Sequence, residues 1–337
     1  MRAWQVVGSF GVENLRAGDI RERPLEPGEA RLAVCATALN YRDLMMVRGE
    51  YDPRLPLPFV PCSDAAARVI ELAEHSAEIA TGDRVLVSVA TDWIRGPMPP
   101  RTHRRMLGGP LAGTLTTQLI VPTAALVRVP SSLNDEQACT LPCAGVTAFA
   151  ALFDYGKAAP GDVVVTQGSG GVALFALQLA RAAGIRVIAT TRSREKASRL
   201  YELGASEVID SRQTPNWGRR VRDLTGGRGA DHVIEVGGGG TLEQSLLAVR
   251  DGGSIAVIGV LGGTRTPLDV RPLLMRAIRL QGVLVGSRDT LAALVRCVEV
   301  TGLTPVVDRA FDFGEAPAAL EHLQSQKHVG KVIVRSP

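Results

Sequence analysis

Short apolar runs separated by turn residues make up the first 120 residues of the chain. Runs such as ARLAVCATAL and DRVLVSVA are typical of short strands in a largely antiparallel sheet. From about Cys139 to Gly286 the pattern changes, because buried strands such as DVVVTQ alternate with helices such as GVALFALQLARAAG, whose apolar residues recur at helical spacing. Strands that alternate with helices of this length predict a parallel, doubly wound sheet.

The first pattern returns after Asp289, where a predicted helix (TLAALVRCVEV) precedes a predicted edge strand (GKVIV). We therefore predict an α/β protein with two domains. Residues 1–121 and 288–337 form a discontinuous β-rich domain, and residues 122–287 form a dinucleotide-binding domain that is inserted into it. Ser193 is predicted to cap the helix that begins near it, because a serine hydroxyl suits a helix N-terminus.

The composition of the chain excludes several classes of function. The 337 residues are 45% hydrophobic and 21% charged, which is the balance of a globular protein. A net charge of +4 is too weak and dispersed to predict nucleic-acid binding. No apolar run approaches the roughly 20 residues that span a bilayer, and the N-terminus lacks the apolar core of a signal peptide. The odd number of cysteines, five, without C-x-x-C spacing, favours reduced thiols and a cytoplasmic location.

A glycine-rich turn joins the predicted strand DVVVTQ to the helix that follows it. The pattern Gly168-x-Gly170-x-x-Ala173 is a weak signal alone and a strong one between a strand and a helix. Gly168 permits the tight turn, Gly170 lets the backbone approach a pyrophosphate, and Ala173 allows close packing of the helix. The backbone N–H groups predicted to bind the phosphates belong to Ser169, Gly170, Gly171 and Val172.

The residues after the second strand of this domain indicate which dinucleotide binds. A carboxylate there, about 20 residues past the glycines, would bind the ribose 2′-hydroxyl of NAD. The chain has no carboxylate before Glu195 and has hydroxyl and basic side chains instead, which suit a 2′-phosphate. These residues are Thr191, Arg192, Ser193 and Lys196. We predict NADP(H); the alternative is that the basic residues only begin a solvated helix and that NADH is used.

Seven motifs spread over nearly the whole chain together resemble the medium-chain dehydrogenase/reductase superfamily. They are NYRD (40–43), PFVPCSDAAARV (58–69), GDRVLV (82–87), AGVTAFAAL (144–152), GSGGVALFALQLARAAG (168–184), TGGRGADHVIEVGG (225–238) and the closing GKVIV. The resemblance implies a GroES-like catalytic domain and a Rossmann domain with the cofactor in a cleft between them.

The zinc-dependent members of this superfamily bind catalytic zinc through a Cys, the His of a G-H-E motif and a later Cys. The resemblance aligns these positions with Asn40, Ser63 and Cys143, so one strong ligand of three remains. The region that corresponds to the structural-zinc lobe, about residues 92–112, has no cysteine. We therefore predict no metal site; the alternative is a rearranged site of Cys62, Asp64 and Cys143.

Zinc in these enzymes polarises an alcohol or carbonyl oxygen, and its loss removes that activation. Quinones and α,β-unsaturated carbonyl compounds already accept hydride, and the resemblance points to zinc-free quinone oxidoreductases and enoyl reductases. We therefore predict an NADPH-dependent reductase of such a small molecule. Two alternatives stay open: an alcohol dehydrogenase with the rearranged metal site, and an NADPH-binding redox sensor without turnover.

The segment LNYRDLMMVRGEY contains the candidate catalytic residues. Asn40 is predicted to hydrogen-bond the substrate oxygen or the nicotinamide ribose, and Asp43 to orient its neighbours. Tyr41 and Tyr51 are candidate donors to the acceptor carbonyl, unless they only pack. Arg42 either stabilises an enolate or pairs with Asp43, and the sequence does not decide between these roles.

The resemblance also implies which residues outside the glycine-rich turn line the cofactor. They are Thr147, Gly237, Gly238, Val260 and Val285. A homodimer is implied as well, through the last strand of the inserted domain, for which AIRLQGVLVG (277–286) is the candidate. The basic, proline-rich stretch 95–109 is an exposed loop or a rim that attracts an anionic substrate.

Overall fold

The computed structural model describes residues 1–337 and divides into two compact units. The first unit comprises Met1–Val146 and Val285–Pro337, and the second comprises Thr147–Leu284. The α/β fold class predicted from the sequence is confirmed, because the first unit is mostly antiparallel and the second contains a parallel sheet with helices.

The strands and helices follow one another along the whole chain. The strands are β1 (Arg2–Val6), β2 (Leu15–Asp19), β3 (Glu29–Ala38), β4 (Asp64–Leu72), β5 (Arg84–Val87), β6 (Gln118–Pro122), β7 (Leu126–Arg128), β8 (Val163–Gln167), β9 (Arg186–Thr191), β10 (Glu207–Asp210), β11 (Ala230–Glu235), β12 (Val249–Val257), β13 (Arg279–Gly282), β14 (Val307–Asp312) and β15 (Lys331–Arg335). The α-helices are α1 (Tyr41–Val47), α2 (Asp135–Ala138), α3 (Val146–Phe149), α4 (Gly171–Ala182), α5 (Arg194–Glu202), α6 (Trp217–Leu224), α7 (Leu242–Ala248), α8 (Arg271–Met275), α9 (Arg288–Thr301) and α10 (Ala316–Gln324).

The main sheet of the first unit has the strand order β14-β15-β3-β4-β5-β7, and β6 also pairs with β3. Neighbouring strands are antiparallel except β14 and β15, which are parallel. The sequence-based prediction of an edge strand at GKVIV is wrong, because β15 lies inside the sheet between β14 and β3. Pairing on both sides explains why its first four residues are buried.

The boundaries between the units differ from those predicted at 121/122 and 287/288. Strand β7 pairs with β5 through Leu86 and Val127, which joins the segment after residue 122 to the sheet of the first unit. Residues 122–146 and 285–287 therefore belong to that unit. Turn residues alone do not reveal this pairing, since β7 is only three residues long.

The sheet of the second unit is parallel, with the order β10-β9-β8-β11-β12-β13. Within this sheet, β8 comes first along the chain. The next strands, β9 and β10, lie on one side of β8, and β11 then lies on its other side. This reversal creates a topological switch point between β8 and β11, and ligands of such sheets bind beyond the carboxyl ends of the strands there. Strand β8 is buried along its entire length, as its apolar, β-branched sequence predicts.

The outermost strand of this sheet, β13, is shorter than the predicted strand 277–286. Ala277 and Val285 have φ angles of 50° and 48°, which are left-handed and incompatible with an extended strand. The predicted position at the edge of the sheet agrees with the strand order.

One helical run is long and apolar enough to cross a membrane by length and composition. It extends over Asp135–Tyr155, where π-helical turns join α2 and α3, and its mean hydropathy is 1.3 over the most apolar window. The sequence reading of short apolar runs did not anticipate it. Because 72% of that window is buried within the protein, the run has the burial of a core helix.

Candidate functional site

Three neighbouring strands of the first unit bring polar residues together at one end of the sheet. Ala38 near the end of β3 pairs with Ile333 of β15 on one side and with Asp64 of β4 on the other. Because both neighbours run antiparallel to β3, the chain just after β3 meets the first residues of β4 and β15. Asn40, Asp64 and Lys331 therefore converge from distant parts of the sequence.

The three side chains form one hydrogen-bonded cluster. Nζ of Lys331 donates to Oδ1 of Asn40 at 2.5 Å and lies 3.4 Å from Oδ2 of Asp64. Nδ2 of Asn40 donates to the same Oδ2 of Asp64 at 2.9 Å. Asp64 is 0% exposed and Lys331 only 4%, whereas Asn40 is partly exposed. We refer to these residues as the Lys–Asn–Asp cluster.

Burial makes the carboxyl group of Asp64 a weaker acid than usual. Loss of hydration raises its pKa to about 7, although the charge of Lys331 and the hydrogen bond from Asn40 act in the opposite direction. Its Oδ1 has no hydrogen-bond partner within the protein. The cluster therefore contains a carboxyl group that changes protonation near neutral pH.

Helix α1 begins at this cluster and is held there by Asp43. Oδ2 of Asp43 accepts a hydrogen bond from the backbone N–H of Asn40 at 2.8 Å. Asp43 is fully buried, and its burial raises the pKa of its carboxyl group. Its contact with the backbone of Asn40 fits the orienting role predicted for it.

Arg42 makes hydrogen bonds that go beyond its two predicted roles. Its two terminal nitrogens donate to the carbonyls of Leu107 at 3.0 Å and Gly109 at 2.6 Å. The distance to Oδ1 of Asp43 is 4.0 Å, so the predicted ion pair is present but long. The guanidinium also lies over the ring of Tyr51, 5.3 Å from its centre. Arg42 thus fastens the end of the basic stretch 95–109 to α1.

The two tyrosines of this segment lie in different surroundings. Tyr51 is 41% exposed and contacts Arg42. Tyr41 is partly buried and packs against the apolar core of the first unit. Packing, the alternative role considered for both residues, therefore applies to Tyr41.

The positions aligned with zinc ligands do not form a ligand set. The amide oxygen of Asn40 is taken by Lys331. Ser63 is buried, and its hydroxyl has no partner. Burial, with the nearby charge of Asp64, raises the pKa of the Cys143 thiol and of the fully buried Cys62 thiol. No group of three or more His, Cys, Asp or Glu side chains is arranged to hold a metal ion.

In the second unit, the glycine-rich turn lies between β8 and α4. Gly168 has a φ of 78°, and its N–H donates to the carbonyl of Thr190 at 2.7 Å. A Cβ atom built on Gly168 or Gly170 would meet nothing within 4 Å, so open space lies beside both residues. Helix α4 starts at Gly171 without a side-chain cap. The first N–H groups of a helix have no partner within the helix, so those at the start of α4, including that of Val172, suit an anion together with the neighbouring Ser169.

A buried carboxylate organises the switch point of the parallel sheet. Glu235, at the end of β11, is 0% exposed and accepts from Nε2 of Gln167, the last residue of β8, at 2.8 Å. It also accepts from the N–H groups of Gly237 at 2.7 Å and Gly238 at 2.9 Å. The hydroxyls of Thr241 and Ser245 donate to the same carboxylate. Glu235 thereby holds the loop that was predicted to line the cofactor.

The residues predicted to bind a 2′-phosphate lie between β9 and α5. Oγ1 of Thr191 accepts from the N–H of Ser193 at 3.1 Å. Ser193 occupies the N-cap position of α5, as predicted, although its side chain makes no capping hydrogen bond. Arg192 is exposed and Lys196 is partly exposed. A carboxylate is absent from the end of β9, whose last residue is Thr191.

The remaining predicted cofactor residues lie at turns or at the boundary of the units. Val260 lies in the turn 259–263, which bonds to the glycine loop through Gly262 N–H and the carbonyl of Gly237 at 2.7 Å. Thr147 is the first residue of the second unit, and Val285 begins the second segment of the first unit. Both are buried.

Sequence reasoning missed Lys331, Gln167 and Glu235 as site residues. The available signal was a charged or amide side chain at the end of an apolar strand. Lys331 is the second residue of GKVIV, and it is one of four lysines among the 38 Lys and Arg residues. Glu235 ends ADHVIE immediately before four residues of which three are glycine.

Comparisons with known proteins agree with this architecture. The family described as "Alcohol dehydrogenase GroES-like domain" matches residues 26–131, and the one described as "Zinc-binding dehydrogenase" matches residues 171–299. A zinc-type alcohol dehydrogenase-like protein from Schizosaccharomyces pombe is 38% identical, over 92% of this chain and 92% of its own. The crystal structure of a putative alcohol dehydrogenase from Sinorhizobium meliloti 1021 is 40% identical, with a TM-score of 0.91 and 99% of each chain covered. A quinone oxidoreductase-like protein 2 homolog from Nematostella vectensis is 26% identical, over 98% of this chain and 85% of its own.

Proposed function

This chain belongs to the medium-chain dehydrogenase/reductase family of oxidoreductases, and we propose that it reduces a quinone or an α,β-unsaturated carbonyl compound with NADPH and without zinc. The observation that carries this proposal is the Lys–Asn–Asp cluster. Lys331 contributes a buried positive charge beside Asn40, the position that the resemblance aligns with the first zinc ligand.

The donor groups near Asn40 do not fit zinc. Catalytic zinc needs three protein ligands of nitrogen, thiolate or carboxylate type. Of the three aligned positions, Ser63 offers only a hydroxyl, and the amide oxygen of Asn40 already accepts a hydrogen bond from Lys331. A divalent cation near Asp64 would also be repelled by the ammonium of Lys331. The same ammonium disfavours the rearranged site of Cys62, Asp64 and Cys143, because it lies 3.4 Å from Oδ2 of Asp64.

The second unit offers the features that a dinucleotide needs. The glycine turn Gly168–Val172 and the uncapped start of α4 suit the pyrophosphate, and the loop held by Glu235 borders the switch point. Arg192 and Lys196, with the hydroxyls of Thr191 and Ser193, favour NADPH over NADH because they suit a 2′-phosphate. When bound, NADPH supplies the hydride.

Asn40 is the group that we assign to the substrate oxygen. As an enone or quinone accepts a hydride, negative charge develops on its oxygen, and a fixed N–H donor stabilises that charge. Nδ2 of Asn40 has two hydrogens, of which one is bound by Asp64. Water or the hydroxyl of the more exposed Tyr51 supplies the proton that completes the reduction.

The test is the oxidation of NADPH, followed by its absorbance, with protein that has been treated with a chelator. A quinone, an enone and a simple ketone serve as acceptors, and NADH serves as the comparison cofactor. Turnover of quinone or enone, without turnover of ketone, supports the proposal. Ketone reduction that the chelator abolishes would overturn it in favour of a zinc alcohol dehydrogenase. Tight NADPH binding without turnover of any acceptor would overturn it in favour of a redox sensor.

A further inference from the structure

The amide of Asn40 has an orientation that its neighbours dictate. The oxygen and nitrogen of an asparagine amide have nearly the same shape, so the hydrogen-bond partners decide which way the group faces. The ammonium of Lys331 only donates, and it lies 2.5 Å from the amide, so Oδ1 must face it. Nδ2 then faces Oδ2 of Asp64 at 2.9 Å. Both contacts are satisfied in this orientation.

This orientation determines what Asn40 presents outside the cluster. One hydrogen of Nδ2 is bound to Asp64, and the other is left for a further acceptor. Asn40 is partly exposed, whereas Lys331 and Asp64 are buried, so Asn40 is the member of the cluster that a small molecule reaches. In the opposite orientation the amide carbonyl would take the place of this N–H and would repel a developing oxyanion.

We propose that Lys331 is a positioning residue, which fixes the amide of Asn40 so that the free N–H of Nδ2 points to the substrate oxygen. The assignment of a substrate oxygen rests on the proposed function, whereas the fixed amide does not. Lys331 is well suited to this role because it starts β15, a strand paired on both sides, and its ammonium also lies 3.4 Å from Asp64. Strand pairing therefore fixes the backbone of Lys331, while Asn40 and Asp64 hold its ammonium.

A double-mutant cycle tests whether Lys331 acts through Asn40. We would measure kcat and KM for the quinone or enone with the wild type, Lys331→Met, Asn40→Ala and the double variant. We expect Lys331→Met to lower kcat about 30-fold with little change in KM, which is less than the roughly 100- to 1000-fold cost of removing an oxyanion donor outright, because the donor stays but loses its fixed orientation. In the Asn40→Ala background the same change should lower kcat less than about threefold.

Two further variants separate positioning from simple destabilisation. Lys331→Arg keeps a cation that only donates, and it should recover much of the lost kcat. Lys327→Met, an exposed lysine on the same segment, should leave kcat unchanged. If Lys331→Met does not fold, Lys331→Gln replaces it, since glutamine both donates and accepts and no longer fixes the amide. An equal loss of kcat in the wild-type and Asn40→Ala backgrounds would overturn the proposal.

The orientation of the amide is also measurable without turnover. The chain has four asparagines, so labelling them with nitrogen-15 gives a simple side-chain NMR spectrum in which Asn40→Ala identifies the signal of Asn40. We expect this signal to shift or broaden in Lys331→Met and to persist in Lys331→Arg. An Asn40 signal that is unchanged in Lys331→Met would overturn the proposal. If the wild type turns over no acceptor, the proposed function fails, and this spectrum still decides whether Lys331 orients Asn40.

Discussion

Lys331 and Asn40 are 291 positions apart in the chain, yet Nζ of Lys331 donates to Oδ1 of Asn40 at 2.5 Å. The contact joins the start of a strand near the C-terminus to the start of the first α-helix. Since the lysine is buried beside Asp64, a cation and a carboxyl group flank the residue that we assign to the substrate oxygen.

Removal of the Asn40 amide should affect catalysis more than binding. We expect Asn40→Ala to lower kcat for the quinone or enone about 100-fold, because the developing oxyanion loses its N–H donor. Steady-state kinetics with NADPH measures this. Asn14→Ala is the matched control, since it removes an amide that bonds only to Ser9 and the carbonyl of Phe10. Unchanged kcat in Asn40→Ala would remove Asn40 from the mechanism.

The buried carboxyl group of Asp64 should make stability depend on pH. Its pKa is about 7 in the folded protein and has an ordinary value of 3.8, so between these pH values the folded state binds a proton that the unfolded state has released. The protonated Asp64 therefore stabilises the folded state most at low pH. The free energy of unfolding falls as the pH rises from about 4 to about 7, because the unfolded state has then already released this proton. The raised pKa of Asp43 acts with the same sign.

Urea unfolding at several pH values would measure this dependence. Asp64→Asn should flatten the fall between pH 4 and 7, whereas Asp83→Asn, which removes a surface carboxylate paired with Arg128, should not. An equally steep fall in Asp64→Asn would show that other groups are responsible.

Glu235 should support both stability and cofactor binding. In Glu235→Gln an amide N–H₂ would face the donors that now surround the carboxylate, so we expect a loss of about 1–3 kcal/mol in the free energy of unfolding. We also expect weaker NADPH binding, because the loop with Gly237 and Gly238 loses its acceptor. Denaturant unfolding and fluorescence titration test these effects, with the exposed Glu243→Gln as control. Equal Kd values for the two variants would contradict the loop's role.

Arg192 and Lys196 should discriminate between the two dinucleotides. We expect the double variant Arg192→Ala and Lys196→Ala to raise the Kd for NADPH about 10-fold or more, because charge-assisted hydrogen bonds to the 2′-phosphate are lost. The Kd for NADH should change little. Arg199→Ala on the same helix, where the arginine pairs with Glu202 at 2.8 Å, is the control. A parallel loss of NADH affinity would indicate damage to the site instead of lost 2′-phosphate recognition.

The protein should form a homodimer through the edge of its parallel sheet. Helix α8, just before the edge strand β13 in the chain, leaves Leu274 81% and Met275 79% exposed. The outer side of β13 has no partner strand, and exposed apolar surface and an open sheet edge both favour association with a second copy. Sedimentation velocity should give twice the chain mass of 35.7 kDa. Leu274→Glu with Met275→Glu should shift the protein toward monomer, whereas Val300→Glu, at an exposed apolar position of α9, should not. A monomeric wild type would contradict this prediction.

The sequence by itself determined those features that depend on neighbours along the chain. Strand DVVVTQ, the glycine turn after it and helix α4 lie where period and turn chemistry predict them, because each depends on a few consecutive residues. The change from short strands to alternating strands and helices was enough to predict the fold class. Asn40 was found through the resemblance of the motif NYRD to the family, which also depends on consecutive residues.

Only the tertiary structure decided which distant residues meet Asn40. The order of β15, β3 and β4 in the sheet brings Lys331 and Asp64 to it, and no local pattern encodes that order. For the same reason β15 was mistaken for an edge strand, and β7 was assigned to the wrong unit. The protonation of Asp64 was also decided by the tertiary structure. Its pKa of about 7 results from burial, and strands that are distant in the sequence pair to create that burial.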